Sequence, residues 1–421
     1  MIKRIASIII GSLMVFGLRA SAETTIEPTV LVDQDGILIT ATELECEGIK
    51  GELKLDIENN SDKDVSIIAG SMGFNQNAIN NYMTNECYVN VDVSSGKKAK
   101  ETVKFGAWYN AYMDFTDIAS ITMAFQVNDD DYNILFYSEP VEIKTSAYAS
   151  YDFADNPFVR GIQDNNIQKY LDYKLIDFKE GELFSADGIK INNYAVLTKD
   201  GEIGIYMEVE NTTDSIMGFC IDGLYVNGIN VYYGNWCTEM ILPHTKNIMD
   251  ISIDDVLDSS YGNAVVSKIE QASIMLVTED SEYNIITNGV MNIIGDESDY
   301  EIDVNDNELY NANDIQIIAK DVVESRFDNG DKIFVALVKN DNDYEIILKV
   351  KDDISVNDYM IDTTSYPKYI PKKSIGIFYF QLDGDSLEDC NIASFDKVEG
   401  IIEIKDERWN VIDNVSVETS F

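Results

Sequence analysis

The side chains in this sequence that offer reactive chemistry are one histidine, five cysteines and 75 carboxylates. A Ser-His-Asp or Cys-His site needs an imidazole to shuttle the proton. The sole histidine, His244, follows Leu242-Pro243 in a stretch that reads as a solvated turn. The same scarcity removes histidine-based zinc sites, and no Cys-x-x-Cys pair stands in for them. Glycines such as Gly96 and Gly228 occur singly, not in phosphate-cradling loops. Two carboxylates at the right separation are enough to hydrolyse a glycoside, but among so many no pair is singled out. The expectation is a chain that is not an enzyme.

Three other chemistries have candidate residues. Asp303, Asn305 and Asn307 have the one-three-five oxygen spacing of a calcium loop, although Glu308 stands where the loop needs Gly and Asp314 where it needs Glu. The acidic stretches Asn128 to Asp131 and Asp383-Gly384-Asp385 are further places for a structural calcium ion, and no other cofactor is implied. Cys220 and Cys237 flank the turn Val226-Asn227-Gly228 and are candidates for a disulfide. Cys46 with Cys87 would leave Cys390 alone, and free thiols that pack as small hydrophobes are the alternative. Aromatic residues crowd two places, Trp108, Tyr109 and Tyr112, and then Tyr225, Tyr232, Tyr233 and Trp236. Such clusters stack on sugar rings or anchor protein partners when exposed, and are ordinary strand residues when not.

The elements that position these residues recur three times. An opening strand reads Asp35-Gly36-Ile37-Leu38-Ile39, Asp187-Gly188-Ile189-Lys190-Ile191 and Asn313-Asp314-Ile315-Gln316-Ile317. A period-two strand follows: Leu53, Leu55 and Ile57 alternate with Glu52, Lys54, Asp56 and Glu58, as Ile203, Ile205, Met207 and Val209 alternate with Glu202, Gly204, Tyr206 and Glu208. The first set of each reads as core and the second as water-facing. Polar turns begin at Asn59, Asn211 and Asn340, where Asn and Asp bond their own backbone. Asn59 and Asn211 also fit the glycosylation pattern, but the turn explains them better. A Val-Asn-Gly hairpin at Val226 has a looser copy at Val356. The closing hairpin runs from Ala119-Ser120-Ile121 to Tyr132-Asn133-Ile134, from Ala272-Ser273-Ile274 to Tyr283-Asn284-Ile285, and from Ala393-Ser394-Phe395 to Trp409-Asn410-Val411.

This spacing of turns predicts an all-β fold of three tandem immunoglobulin-like antiparallel β-sandwiches, over 27–145, 182–294 and 307–421, with a linker at 146–181 that docks on a neighbouring unit. The motifs, from the Asp-Gly-Ile strand to the Glu58-to-Asp64 turn and the Gly96-Lys97-Lys98 turn, resemble the immunoglobulin-like repeats of secreted and lipid-anchored proteins of Gram-positive anaerobic bacteria. The resemblance implies the sandwich and an extracellular location, and it carries no catalytic residues.

Charge and the first residues bound the partners. Lys3 and Arg4, the apolar run Ile5 to Leu18 and the small residues Ala20-Ser21-Ala22 read as a secretory signal over 1–22. No later stretch approaches a membrane span, so no membrane insertion is expected. The net charge of −44 repels phosphate backbones, which excludes nucleic acid as a partner. The expectation is a secreted, non-catalytic surface or matrix protein that binds a glycan or a protein, with a structural spacer as the alternative and a carboxylate-only hydrolase behind both.

Overall fold

The computed structural model describes residues 24–47, 50–70, 74–106, 113, 115–164, 172–200, 202–233, 238–253, 262–266, 269–295, 307–325 and 330–421. The first repeat contributes β1 (Thr29–Gln34), β2 (Ile37–Glu47), β3 (Lys50–Asn59), β4 (Val65–Ala69), β5 (Ala78–Ile79), β6 (Tyr82–Met83), β7 (Val89–Val93), β8 (Lys98–Phe105), β9 (Ser120–Met123), β10 (Gln126–Asp129), β11 (Ile134–Tyr137) and β12 (Val141–Lys144). Next come β13 (Lys174–Ala186), β14 (Ile189–Lys199), β15 (Glu202–Asn211), β16 (Met217–Val226), β17 (Ile229–Tyr233), β18 (Glu239–Ile241), β19 (Lys246–Ser252), β20 (Ala272–Glu279) and β21 (Ile285–Ile294). The third repeat holds β22 (Glu308–Ala312), β23 (Ile315–Glu324), β24 (Lys332–Asn340), β25 (Ile346–Val350), β26 (Ile354–Val356), β27 (Tyr359–Ile361), β28 (Thr363–Thr364), β29 (Lys368–Ile370), β30 (Ser374–Leu382), β31 (Val398–Asp406) and β32 (Val411–Thr419). The fold is all-β and of sandwich type, as the turn spacing predicts.

Each repeat builds an opening sheet from its first three strands and one later strand, in the orders β1-β2-β3-β8, β13-β14-β15-β19 and β22-β23-β24-β30. The hairpins that start them turn on left-handed residues: Asp35 and Gly36, Asp187 and Gly188, Asn313 and Asp314 all have positive φ. That backbone suits Gly, Asn and Asp and matches the twist of the strands it joins. The closing sheet faces it, with β4 between β10 and β7, β16 beside β20, and β25 beside β31. In β3 the inward residues Leu53, Leu55 and Ile57 are fully buried against Ile67 and Val127 of the other sheet. Burying a side chain of this size contributes about 1.5–3 kcal/mol.

One asparagine ties the two sheets together in every repeat. Asn59, Asn211 and Asn340 end β3, β15 and β24, and all three are fully buried. The side-chain amide of Asn59 donates to the carbonyls of Lys63 (2.7 Å) and Val93 (2.8 Å), and its Oδ1 accepts from the Ser61 amide (3.0 Å). Asn211 repeats this with Ser215, Ile241 and Thr213, and Asn340 with Tyr344, Ile370 and Asn342. Burial removes Asn59 and Asn211 as glycosylation acceptors in the folded chain.

Two sequence readings change. The Ala-Ser step does not align the closing hairpins. Ile121, Ala272 and Val398 are the equivalent residues, opposite Ile79, Val226 and Val356, and Ala393-Ser394-Phe395 lies before β31. The stretch 146–181 is also not all linker, because β13 begins at Lys174. Within it α1 (Pro157–Gln163) forms behind Asn156, whose Oδ1 caps the Val159 amide at 3.0 Å with Pro157 in the first turn. Phe158 and Ile162 of α1 are buried among Tyr82, Met113, Phe115, Ala195, Leu197 and Ile248. Phe158 and Ile162 thus dock this stretch on its neighbours, as expected of the linker, and residues 165–171 lie outside the described residues.

The sheets also run across the repeats. After the turn Asn80-Asn81, β6 pairs in parallel with β19 (Tyr82 opposite Lys246), and after Asn227-Gly228, β17 pairs in parallel with β30 (Ile229 opposite Ile375). Each hairpin thereby extends the opening sheet of the next repeat, giving sheets of eight and ten strands. The first joint sets a buried polar centre beside the apolar cluster around Phe158. Glu208, which alternation assigned to water, is fully buried and accepts from Tyr82 Oη (2.9 Å), Asn156 Nδ2 (2.7 Å), Asn193 Nδ2 (3.2 Å) and Lys246 Nζ (3.0 Å). The second joint is apolar, with Val335, Leu337 and Ile377 of the third repeat in one core with Ile229 and Val231 of the second.

Replacing any one of Asn59, Asn211 or Asn340 by Ala strands buried carbonyls and is expected to cost about 2 kcal/mol, read as a lowered urea midpoint. Replacing Glu208 by Ala removes the carboxylate from a buried pair and is expected to cost about 3 kcal/mol. Limited proteolysis should then cut first between residues 146 and 174, and unchanged resistance there would count against the joint's role.

Candidate functional site

The aromatic clusters expected to form a binding face fall mostly where the structure is silent. Trp108, Tyr109, Tyr112 and Trp236 lie outside the described residues, as do the side chains of Tyr232 and Tyr233 on β17. Tyr225 is half-buried on β16, and burial pushes its phenol up from the ordinary value. Of the calcium candidates, Asp303 and Asn305 are also outside, and the exposed Asn307 accepts the Ala319 amide through its backbone carbonyl at 3.0 Å. Asp383 caps the short helix Gly384–Asp389 through the Ser386 amide (2.8 Å). Among the described residues no group of three or more His, Cys, Asp or Glu is placed to hold a metal ion. Cys220 is fully buried in β16, and its candidate partner Cys237 is outside the described residues. Cys46 and Cys87 are both free, their thiols pushed up by burial to about 11 and about 12. His244 sits on an exposed turn with Nε2 2.7 Å from Asp214.

The structure instead brings an aromatic ring to the same place on all three repeats. The hairpins β10–β11, β20–β21 and β31–β32 each turn through Asp-x-x-aromatic-Asn: Asp129 to Asn133, Asp280 to Asn284 and Asp406 to Asn410. In each the aromatic amide returns to the Asp carbonyl: Tyr132 to Asp129 (3.0 Å), Tyr283 to Asp280 (3.1 Å) and Trp409 to Asp406 (2.9 Å). The Asp side chain then clamps the loop. Asp129 Oδ1 accepts the amides of Asp131 (3.1 Å) and Asn133 (2.9 Å), and the Asn133 side chain donates back to it (3.1 Å). Asp280 and Asp406 do the same with Glu282 and Asn284, and with Arg408 and Asn410.

The clamp forces Tyr132, Tyr283 and Trp409 into left-handed backbone, with φ of 63°, 64° and 65°. A side chain with a Cβ pays about 1–2 kcal/mol there, and Gly is the usual occupant. The rings also stay in water, at 77%, 63% and 50% exposure. Beside them on the edge strands lie the exposed Ile134, Ile285 and Val411. The tip thus offers an aromatic face rimmed by carboxylates and amides. The motif is legible in the sequence as a five-residue spacing, with a single ring in each copy rather than a cluster.

A second feature concerns acid chemistry. Asp222, at the bulge between Ile221 and Gly223 of β16, is half-buried. Burial first, and the Glu279 carboxylate second, push its carboxyl above the ordinary range.

No family model matches the chain and no curated protein matches it. Among solved structures it is similar to red sea bream transglutaminase (10% identity, TM-score 0.16, 65% of this chain) and to the Amycolatopsis orientalis exo-chitosanase (7% identity, TM-score 0.18, 94% of this chain and 78% of that one). The chain spans 31% of the transglutaminase's length. Likenesses this distant carry no functional argument. No helix of the described residues is long and apolar enough to cross a membrane.

The clamp has a pH signature. Hydrogen bonds to the charged form hold all three carboxyls below the usual range, led by the Asn133 backbone amide at Asp129 and by the Asn side chain at Asp280 and Asp406. A depressed folded-state value stabilises the hairpins above the unfolded carboxylate value and is lost as pH falls through the folded one. Carboxyl NMR titration should place these three below the usual carboxylate range; ordinary values would mean the clamp is absent in solution.

Proposed function

We propose that this chain is an exported, non-catalytic protein that binds an extended glycan through its three aromatic hairpin tips. The observation that carries this is the repetition of one strained, exposed ring at the same place in each repeat. A side chain kept in unfavourable backbone is retained when it serves something other than stability. Planar rings bordered by hydrogen-bonding groups suit the alternating apolar faces and hydroxyl rims of sugars. Three like tips suit a ligand made of like units, because linked weak contacts add as avidity. The dibasic start and apolar run of residues 1–22 support export, and the exposed turn position of the one histidine supports a non-catalytic role.

The spacer reading has its own support in the sheets that pass through both joints, which favour a stiff array over beads on a string.

The test is a glycan array probed with residues 23–421, with calcium and then with chelator, beside the triple variant Tyr132→Gly, Tyr283→Gly, Trp409→Gly. The variant should lose binding while keeping or raising its thermal midpoint, since Gly relieves the left-handed backbone. Loss with chelator would bring calcium into the site. A flat array would remove the glycan and leave a protein partner or a spacer.

A further inference from the structure

We infer that the chain assembles head to tail, the hairpin β26–β27 of one copy pairing in parallel with β8 of a second copy. The two internal joints define the interaction. Tyr82 and Ile229 each follow directly on an Asn-led turn with two left-handed residues, and each is buried, at 4% and 0% exposure, against the last strand of the next opening sheet. Tyr359 occupies the same place after Asn357-Asp358, both with positive φ. Yet β27 is the outer strand of its sheet among the described residues, and Tyr359 and Met360 are 55% and 60% exposed.

The receiving strand is equally defined. Lys246 and Ile375, which lie opposite Tyr82 and Ile229, pair within their own sheets with Glu210 and Lys339, the residues preceding the buried asparagines. The equivalent in the first repeat is Lys98, opposite Glu58, on the open outer strand β8. Among the described residues, then, one hairpin and one strand of matching geometry have no neighbour on their outer side.

Charge favours the match. Lys97, Lys98, Lys100 and Lys104 make β8 and its approach locally basic in a chain of net charge −44. Asp352, Asp353, Asp358 and Asp362 surround the hairpin β26–β27, Asp358 being paired within its own copy with Lys397 at 3.2 Å. The β8 lysines pair locally with Glu58, Asp56 and Glu52, but so does Lys246 with Glu208, and its Nζ still lies 5.4 Å from the centre of the Tyr82 ring. Lysines on an open edge deter indiscriminate strand addition and admit an acidic partner. Because the two surfaces differ, the contact is heterologous and propagates from copy to copy into a ring or an open chain.

The assembly does not depend on glycan binding, since neither Tyr359 nor Lys98 belongs to a hairpin tip. Sedimentation velocity on residues 23–421 without ligand should show mass rising with concentration past the dimer. Lys98→Glu should weaken association by about tenfold, the scale of an interfacial charge reversal, and Lys98→Met, which sets no like charge opposite Glu58, should weaken it in the same direction with a smaller loss of thermal midpoint. For position, an equimolar mixture of Tyr359→Cys and Lys98→Cys chains should oxidise to a linked dimer that neither variant forms alone. A sole monomer at every concentration, or the same yield when Tyr132→Cys replaces Tyr359→Cys, would overturn the proposal.

Discussion

In each repeat the corner where the two sheets meet is held by the side chain of one fully buried asparagine, and the rest of the architecture is arranged around it. An amide carries donors and an acceptor on one rigid plane. It can therefore satisfy one carbonyl of the chain leaving for the closing sheet, one of the chain returning from it, and one amide of its own turn at once. No apolar residue could end β3, β15 or β24 there without leaving those groups unpaired in the core. Fixing that corner fixes where the last opening strand begins, because the backbone amides of Asn59 and Asn211 also bond the carbonyls of Lys97 and Thr245 just before β8 and β19. The edge on which the preceding repeat docks is set by the same residue.

The joints show one geometry reached by two chemistries. Between the first and second repeats a carboxylate is taken out of water and repaid by four donors, with α1 supplying one of them from its cap. Between the second and third the same face is Val335, Leu337 and Ile377, and association is ordinary apolar burial. The first joint adds a polar centre that demands correct partners to the apolar cluster around Phe158; the second is held by a shared apolar core. That both place the residue after an Asn-led turn against the next opening sheet makes backbone pairing, not side-chain type, the common element.

This also explains what was legible in the sequence. Alternation over Leu53, Leu55 and Ile57 reports one buried face because the outer face of the first opening sheet remains polar. It misassigned Glu208 because the outer face of the second sheet is covered by another repeat, which no local period can report. The first repeat's hairpin turn, Asn80-Asn81, has no glycine to mark it in the sequence, though its backbone is left-handed like that of Asn227-Gly228. The Ala-Ser similarity misled because it matched composition rather than distance: Ile121 to Asp129, Ala272 to Asp280 and Val398 to Asp406 are equally spaced, and the Ala-Ser steps are not.

The tips invert the usual relation between rule and exception. Asp35-Gly36, Asp187-Gly188 and Asn227-Gly228 use glycine where the backbone turns left-handed, so the sequence has that solution at hand. At Tyr132, Tyr283 and Trp409 it places a large ring instead, and the Asp-Asn clamp supplies the hydrogen bonds that hold it there. A ring in that position cannot reach the core and covers little of its own repeat. One strained and exposed ring at three equivalent places is the observation on which the proposed glycan contact rests.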